Sequence, residues 1–479
     1  MTPLIGFTPD AEPTTPGAVT DCDQFIPYEA GMRGAPALAS PGMSALASES
    51  RGAAIIRTLS GTSRLFSGTT SDIYEASGTS WSSVGSGYSL STDDRWQFVG
   101  FGDSVLAVNP STNLVRSTGA GFSAVAGAPK AKCIVSTRGF VLIFATNEAT
   151  YGDSPDRWWC SEYLNETGWT PALSTQCTTG RLVEGSGGIT AAVRFGSDVV
   201  VYKQRAMFLG NYVGTPEVWR FTGVSYDVGC VGPEAAADTN IGHIFVGTDS
   251  IYHFDGTRAV PIATGAVRQW WLDNSSSQYR YRTKLLWDRD NSLVWIFFPS
   301  SNSTGTCDDC LVFHTGTQQW GRVMQSIEAA VNYVSSAITY DTAPTTYTYD
   351  TGPSISFDSP FWLSSKTSPA VIDTSHVIKT FTGVPGSWYF ETGDFGDETQ
   401  WSYCSDLRVR FAQKPSTLTC IPKYRATSGD SLVTGSSVNH DGSKFPLRQT
   451  ARFHRFRVSG SGSAKVTGIA PTLKDAGAR

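Results

Sequence analysis

The chain has 479 residues, of which 16% are charged and 12% aromatic, with 48 Gly and 24 Pro. Charge so far below the usual ~25%, with so many aromatic and turn-forming residues, excludes a helix bundle or coiled coil and points to short strands joined by tight turns. The net charge of −5 argues against a general nucleic-acid binder, and no run approaches the ~20 apolar residues of a membrane-spanning helix.

Residues 1–50 show no periodicity and hold Pro3, Pro9, Pro13, Pro16, Pro27, Pro36 and Pro41. They are expected as an extended N-terminal arm, either a poorly ordered tail or a segment lying along a partner subunit. The first basic residue is Arg33, so the basic region of a secretory signal is missing. The nine cysteines are odd in number and scattered, several within strand-like runs such as Lys132-Cys-Ile-Val-Ser136. They are expected as free, buried thiols of a protein made in a reducing cytoplasm.

From Arg51 the pattern becomes strand, tight turn, strand, turn, strand, repeated every ~40–50 residues, a period that matches propeller blades. Arg95-Trp-Gln-Phe-Val99 leads through Gly102-Asp103 to Ser104-Val-Leu-Ala-Val108; Gly139-Phe-Val-Leu-Ile-Phe144 is followed by Asp156-Arg-Trp-Trp-Cys160. Ile189–Val193, the turn at Gly196 and Val199–Tyr202 repeat the order, as do Gly242–Val246 with Ser250–Phe254, and Lys284–Trp287 with Leu293–Phe298. About six blades fit between residues 51 and 335, and Pro344 to Phe381 offers a seventh or a set of closing strands. A pair of β-sandwiches is the competing architecture. One short helix is expected, capped by Thr264, with Val267, Trp270 and Trp271 on one face. From residue 382 a different region begins. Leu407-Arg-Val-Arg-Phe411 alternates, with Arg408 and Arg410 facing out, and Arg452–Val458 and Ala464–Thr467 complete a small antiparallel sandwich. The expected fold is therefore all-β: an arm (1–50), a β-propeller with closing strands (51–381) and a C-terminal β-sandwich (382–479).

The short motifs read as turns rather than chemistry. Gly429-Asp-Ser-Leu432 spells the nucleophile block of a hydrolase family, but Asp373-Thr-Ser-His376 precedes the serine and no helix follows it. Cys307, Cys310 and His314 offer three zinc ligands without a fourth. Asp394-Phe-Gly396 stands without the rest of a kinase site, and Gly185-Ser-Gly-Gly188 lacks the following helix of a phosphate cradle. Asp288-Arg-Asp-Asn291 lacks the later ligands of a calcium loop, and Glu166-Thr-Gly-Trp169 is a partial match to a sialidase box. Arg448, Arg452, Arg455 and Arg457 with His454 make a basic strand that suits phosphate contact or, more commonly, a solvated or subunit-facing surface. No catalytic, cofactor or metal residue is expected, and the chain is not read as an enzyme.

Segments along nearly the whole chain resemble the tail nozzle proteins, or tail tubular protein B, of short-tailed bacteriophages. These are Met1–Phe7 with Thr15-Pro-Gly17; Asp156–Ser161 with Trp169-Thr-Pro171; Tyr202-Lys203 with Met207 and Gly214-Thr-Pro216; Phe254-Asp-Gly256; Thr392–Gly396; Ala451–Phe456; and Ala476–Arg479. The resemblance implies a structural virion protein: a propeller-bearing subunit in a homo-oligomeric ring, typically of six. That ring extends and gates the DNA ejection channel below portal and adaptor, beside tail fibres, in a tail assembled in the host cytoplasm. DNA would pass without sequence-specific binding, and the acidic balance suits a conduit that must release it. Trp-rich turns are expected as exposed anchors for neighbours. The alternative is a carbohydrate-binding propeller, a receptor-binding or adhesin-like protein, because Trp, Tyr and Asp suit sugar stacking.

Overall fold

The computed structural model describes residues 1–59, 61–334 and 367–477. Two-residue turns set up the hairpins. Phe101 faces Ser104 across Gly102-Asp103, and Thr137 faces Phe140 across Arg138-Gly139. Both Arg138 and Gly139 have positive φ, the backbone twist that matches flanking strands. The second strands, such as Ser104–Asn109 and Leu293–Phe298, are buried along their whole length. Neighbouring sheets cover both their faces, which is why they read as unbroken apolar runs rather than alternating ones.

Among the described residues, seven four-stranded antiparallel units follow one another. Their first strands are Ala53–Arg57, Gln97–Phe101, Lys130–Thr137, Ile189–Phe195, Ala236–Thr239, Lys284–Asp288 and Ala329–Val334. Each lies against the next, and the last lies against the first, so the sheets close a ring in a propeller arrangement. The second and third units also join through Asn113 and Lys130. The segment Pro344 to Phe381 lies partly outside the described residues. Within it Thr367–Ile372 is the second strand of the seventh unit, and Ile378–Gly383 is its third, ending just beyond 381. The fourth strand of that unit is Ala37–Ala39, from the N-terminal segment.

The N-terminal segment is extended, but it does not stand apart. Val19–Asp23 pairs with Ser387–Thr392, Phe25–Tyr28 pairs with Trp320–Val323 of the sixth unit, and Gly31–Gly34 pairs with Lys465–Gly477. One sheet therefore runs from the sixth unit through the arm into Lys465–Gly477, Trp401–Gln413 and Phe445–Ala451. The facing sheet of the sandwich holds Val19–Asp23, Ser387–Thr392, Phe453–Ser461 and Thr417–Arg425. A single apolar cluster passes through all three parts, from Val200, Ile244 and Val294 through Phe7 and Phe25 to Phe390, Leu407 and Val458.

Three sequence expectations are corrected. The helix, Arg268–Asn274, begins after Val267 and takes no cap from Thr264. Its cap comes from the arm: Asp10 accepts the backbone N–H groups of Gln269 (2.5 Å) and Trp270 (2.9 Å), satisfying two of the first-turn donors. The tryptophans turn inward. Trp96, Trp219, Trp271, Trp295, Trp320 and Trp388 are buried, and no described tryptophan is among the exposed large side chains. Most fill the cores of the blades, and Trp388 packs in the sandwich against Phe25. The basic C-terminal arginines divide: Arg455 is ion-paired with Asp394, whereas Arg448 stays exposed.

Candidate functional site

In a propeller the loops that lead into the first strands meet around the axis, so this mouth is the place to look for convergent polar groups. Here it is bridged. Asp93, ahead of the second unit, accepts from the Tyr281 hydroxyl (2.8 Å) and from Arg282 Nε (3.2 Å), ahead of the sixth. Gln97 Nε2 donates to the Pro233 carbonyl (3.0 Å) while its Oε1 accepts from Ile134 N–H (3.2 Å), tying the second, third and fifth units. Lys284 pairs with Glu234, and Glu328 accepts from Ser50 N–H (2.9 Å) and contacts His376 Nδ1 (2.7 Å). A cleft of about 220 Å³ remains, lined by Asp93, Asp94, Arg95, Lys132, Glu234 and Arg282 among others.

The charges at this mouth are largely spent on one another. Burial pushes the Asp93 carboxyl up, but bonds from Arg282 and Tyr281 outweigh it and hold the group below the ordinary range. Burial draws Arg95 down against the pull of Glu234, and its guanidinium donates to the Thr92 (3.0 Å) and Asp94 (2.9 Å) carbonyls. Burial raises Glu328 despite Ser50 and His376. Such an arrangement locks loops together. It sets no nucleophile beside a base.

The sequence motifs lie apart. Residues 429–432 sit in an exposed loop of the sandwich, where Asp430 accepts from Thr427 N–H (3.0 Å). Asp373 and His376 belong to the seventh unit: Asp373 pairs with Lys379 (2.5 Å) and His376 with Glu328. The structure does not bring Ser431 to either. Cys307 and Cys310 point into an apolar cluster with Trp295 and Val312. Burial pushes Cys307 up to about 12 and raises Cys310 as well. His314 is four strand residues from Cys310, roughly 13 Å, and its Nδ1 accepts from Gly316 and Thr317 N–H (3.2 and 3.0 Å). Among the described residues no group of three His, Cys, Asp or Glu side chains is placed to hold a metal. At Gly185 the carbonyls, not the amides, point inward. Lys203 Nζ donates to the Glu184 and Gly185 oxygens (2.9 and 3.0 Å), the reverse of a phosphate cradle. Asp288 closes its own turn by accepting from Asn291 Nδ2 (2.7 Å).

Asp394 is the most deeply buried carboxylate of the sandwich, clamped by Arg425 and by Arg455 Nε (2.7 Å). Gly396 beside it has φ +123°, and a Cβ there would fall 1.8 Å from the Arg452 carbonyl, so only glycine fits. Of the four C-terminal arginines, Arg455 is therefore paired, Arg457 lies 3.7 Å over the Tyr389 ring, and Arg452 lies over Trp401 at 5.7 Å. Arg448 alone is fully exposed. Sequence patterning did identify Arg408 and Arg410, which face solvent as expected. It missed the Asp394 clamp, because nothing local marks residues some 30 and 60 positions apart as partners.

No family model matches the chain, and no curated protein matches it. Among solved structures it is similar to the N-terminal domain of Nup159, at 9% identity and TM-score 0.38 over 74% of this chain and 96% of that one. It is also similar to YCF48 bound to D1 peptide, at 14% identity and TM-score 0.34 over 60% of this chain and 86% of that one. A third is the exo-beta-1,3-galactanase of Phanerochaete chrysosporium, at 9% identity and TM-score 0.30 over 91% and 100%. The chain's strand order defines it: an all-β protein of antiparallel sheets in a propeller arrangement, with a sandwich built onto one edge.

Proposed function

We propose that the chain is a structural subunit of the tail nozzle of a short-tailed bacteriophage, assembled as a ring that extends and gates the DNA channel. The ordered resemblance of segments from Met1 to Arg479 carries this reading. The observation that supports it best is mechanical: one apolar cluster joins the fourth to sixth propeller units to the arm and the sandwich, tying the parts into a block of the kind a ring subunit needs. The propeller axis is crossed by direct hydrogen bonds such as Gln97 to Pro233. The conduit would therefore be the space enclosed by several copies, held by head-to-tail contacts that close. Tail adaptor, portal and fibres are the expected neighbours.

Gold labelling of virions with antibody to this chain, viewed by electron microscopy, tests the reading. Label at the distal tip of a short tail is the expected result. Label on fibres, or none on particles, overturns it and turns attention to a carbohydrate-binding propeller. That alternative would rely on exposed tyrosines such as Tyr151, Tyr163 and Tyr226, because among the described residues no tryptophan is exposed.

A further inference from the structure

The acidic total hides a split. Residues 401–479 hold 13 Lys and Arg, four Asp and no Glu, a net of +9, whereas the whole chain is −5. Four of these 13 cations lie on one surface, the outward face of the sheet formed by Phe445–Ala451, Trp401–Gln413 and Lys465–Gly477. Leu407, Val409, Leu447 and Ile469 point into the core. The alternate positions point out and carry Arg408, Arg410, Arg448 and Lys474, all exposed. Arg408 sits opposite Ala470, Arg410 opposite Gly468, and Lys474 opposite Tyr403.

The carboxylate on this face is withdrawn. Asp406 is buried and accepts from Thr472 Oγ1 (2.9 Å), with Arg408 Nε at 3.5 Å and Lys444 Nζ at 3.7 Å. Between the cations stand Gly468, Ala470 and Pro446, with half-buried Tyr403 beside Lys474 and the exposed Met1 side chain over Gly468. Protein interfaces place aromatic anchors at their centre and are depleted of charge there. The four exposed cations of this face depart from that make-up. A two-residue step along a strand is ~6.8 Å and a strand-to-strand step ~4.8 Å, so the four cations form an open lattice roughly 25 Å long.

We propose that this face contacts the phosphate backbone of double-stranded DNA without reading its sequence. Duplex DNA presents one negative charge per ~1.7 Å of axis, so a lattice of this size meets three or four phosphates at once. Contact that is weak suits a surface along which DNA moves. The proposal deepens the nozzle reading and rests on it for which DNA is met, but the contact is measurable without virions.

The test is fluorescence anisotropy of a labelled random-sequence duplex with the full chain, titrated between about 50 and 200 mM salt. We expect binding in the non-specific range, ~10⁻⁴–10⁻⁶ M, with a log–log salt slope near −3. Arg408→Gln/Arg410→Gln should lower that slope by about 2. Arg258→Gln/Arg289→Gln, an equal charge change on exposed propeller turns, should leave it unchanged. Equal loss in both variants, or no salt-dependent binding by the wild type, overturns the proposal. So does salt-sensitive self-association in sedimentation velocity that the 408/410 variant loses while duplex stays unbound, which would make the face a contact between copies. Duplex binding as expected with gold label away from the tail tip would reject the nozzle and leave the DNA contact standing.

Discussion

Phe25→Ala tests whether the N-terminal segment is an integral part of the fold. Phe25 is fully buried on a strand that pairs with the sixth propeller unit, and its ring stacks on Phe390 (4.9 Å) and Trp388 (5.4 Å) of the sandwich. The backbone beneath is tight: a Cβ on Gly321 would lie 2.5 Å from the Phe25 carbonyl. That leaves little room for the site to collapse around a smaller side chain. Truncation of a buried Phe typically costs about 3–5 kcal/mol, of which each aromatic pair accounts for about 0.5–1.5 kcal/mol. Against a net stability of about 5–15 kcal/mol, this is about a fifth or more of the total. Denaturant titration should show a loss in that range. Hydrogen exchange should rise in Ser387–Thr392 and Phe453–Ser461, far from the mutation in sequence. A loss below about 1 kcal/mol, or faster exchange confined to residues 1–39, would refute the claim that the segment joins propeller to sandwich.

Two further outcomes follow from buried polar groups. Glu166 accepts from Ser104 Oγ and Arg116 Nε, both at 2.7 Å; burial pushes its carboxyl up, but these bonds prevail and hold it below the ordinary range. A carboxylate depressed in the folded state stabilises above its unfolded pKa of ~4.3 and loses that contribution as pH falls through the folded value. Glu166→Gln should therefore cost about 1.5–3 kcal/mol near neutrality, with the difference from wild type closing in acid; a difference that stays constant with pH would count against the pairing. The nine cysteines are free and buried, and burial pushes Cys133, Cys160, Cys177, Cys230, Cys307 and Cys404 up to about 12. A thiol reagent at mildly alkaline pH should modify none in the native protein and all nine after denaturation, and rapid native labelling of any one would show that its segment opens.

The repeat was legible because each blade writes it locally. Two-residue turns at Gly102, Gly139 and Gly196 need positive φ, and strands covered on both faces need unbroken apolar runs. The last unit was hard to read for a topological reason. Its outer strand, Ala37–Ala39, lies 341 positions from the Thr380 hydroxyl that binds it, and three small residues carry no periodicity. The prolines of the arm read as breakers, yet Phe25-Ile-Pro-Tyr28 is a strand paired on one side with the adjacent Gly31–Gly34 and on the other with Trp320–Val323, some 300 residues away. Asp10 capping a helix about 260 residues away is the same case. Local pattern records what a segment does by itself; it does not record which segment comes to meet it.

Charge obeys the same logic. A chain-wide total of −5 suggested a surface indifferent to DNA, but a sum discards position, and phosphates respond only to what lies within about a Debye length, ~10 Å at moderate salt. Position sorts the C-terminal arginines into two kinds. Arg455 is consumed by Asp394, and Arg457 is held over an aromatic ring. Arg408, Arg410 and Arg448 stand on the outer face of a sheet. Strand alternation was enough to place Arg408 and Arg410 on that face. Only the register of three strands shows that Arg448 and Lys474 join them and that Asp406 is drawn inward. An acidic propeller body with a basic face on its sandwich would favour phosphate contact at that face over the rest of its surface.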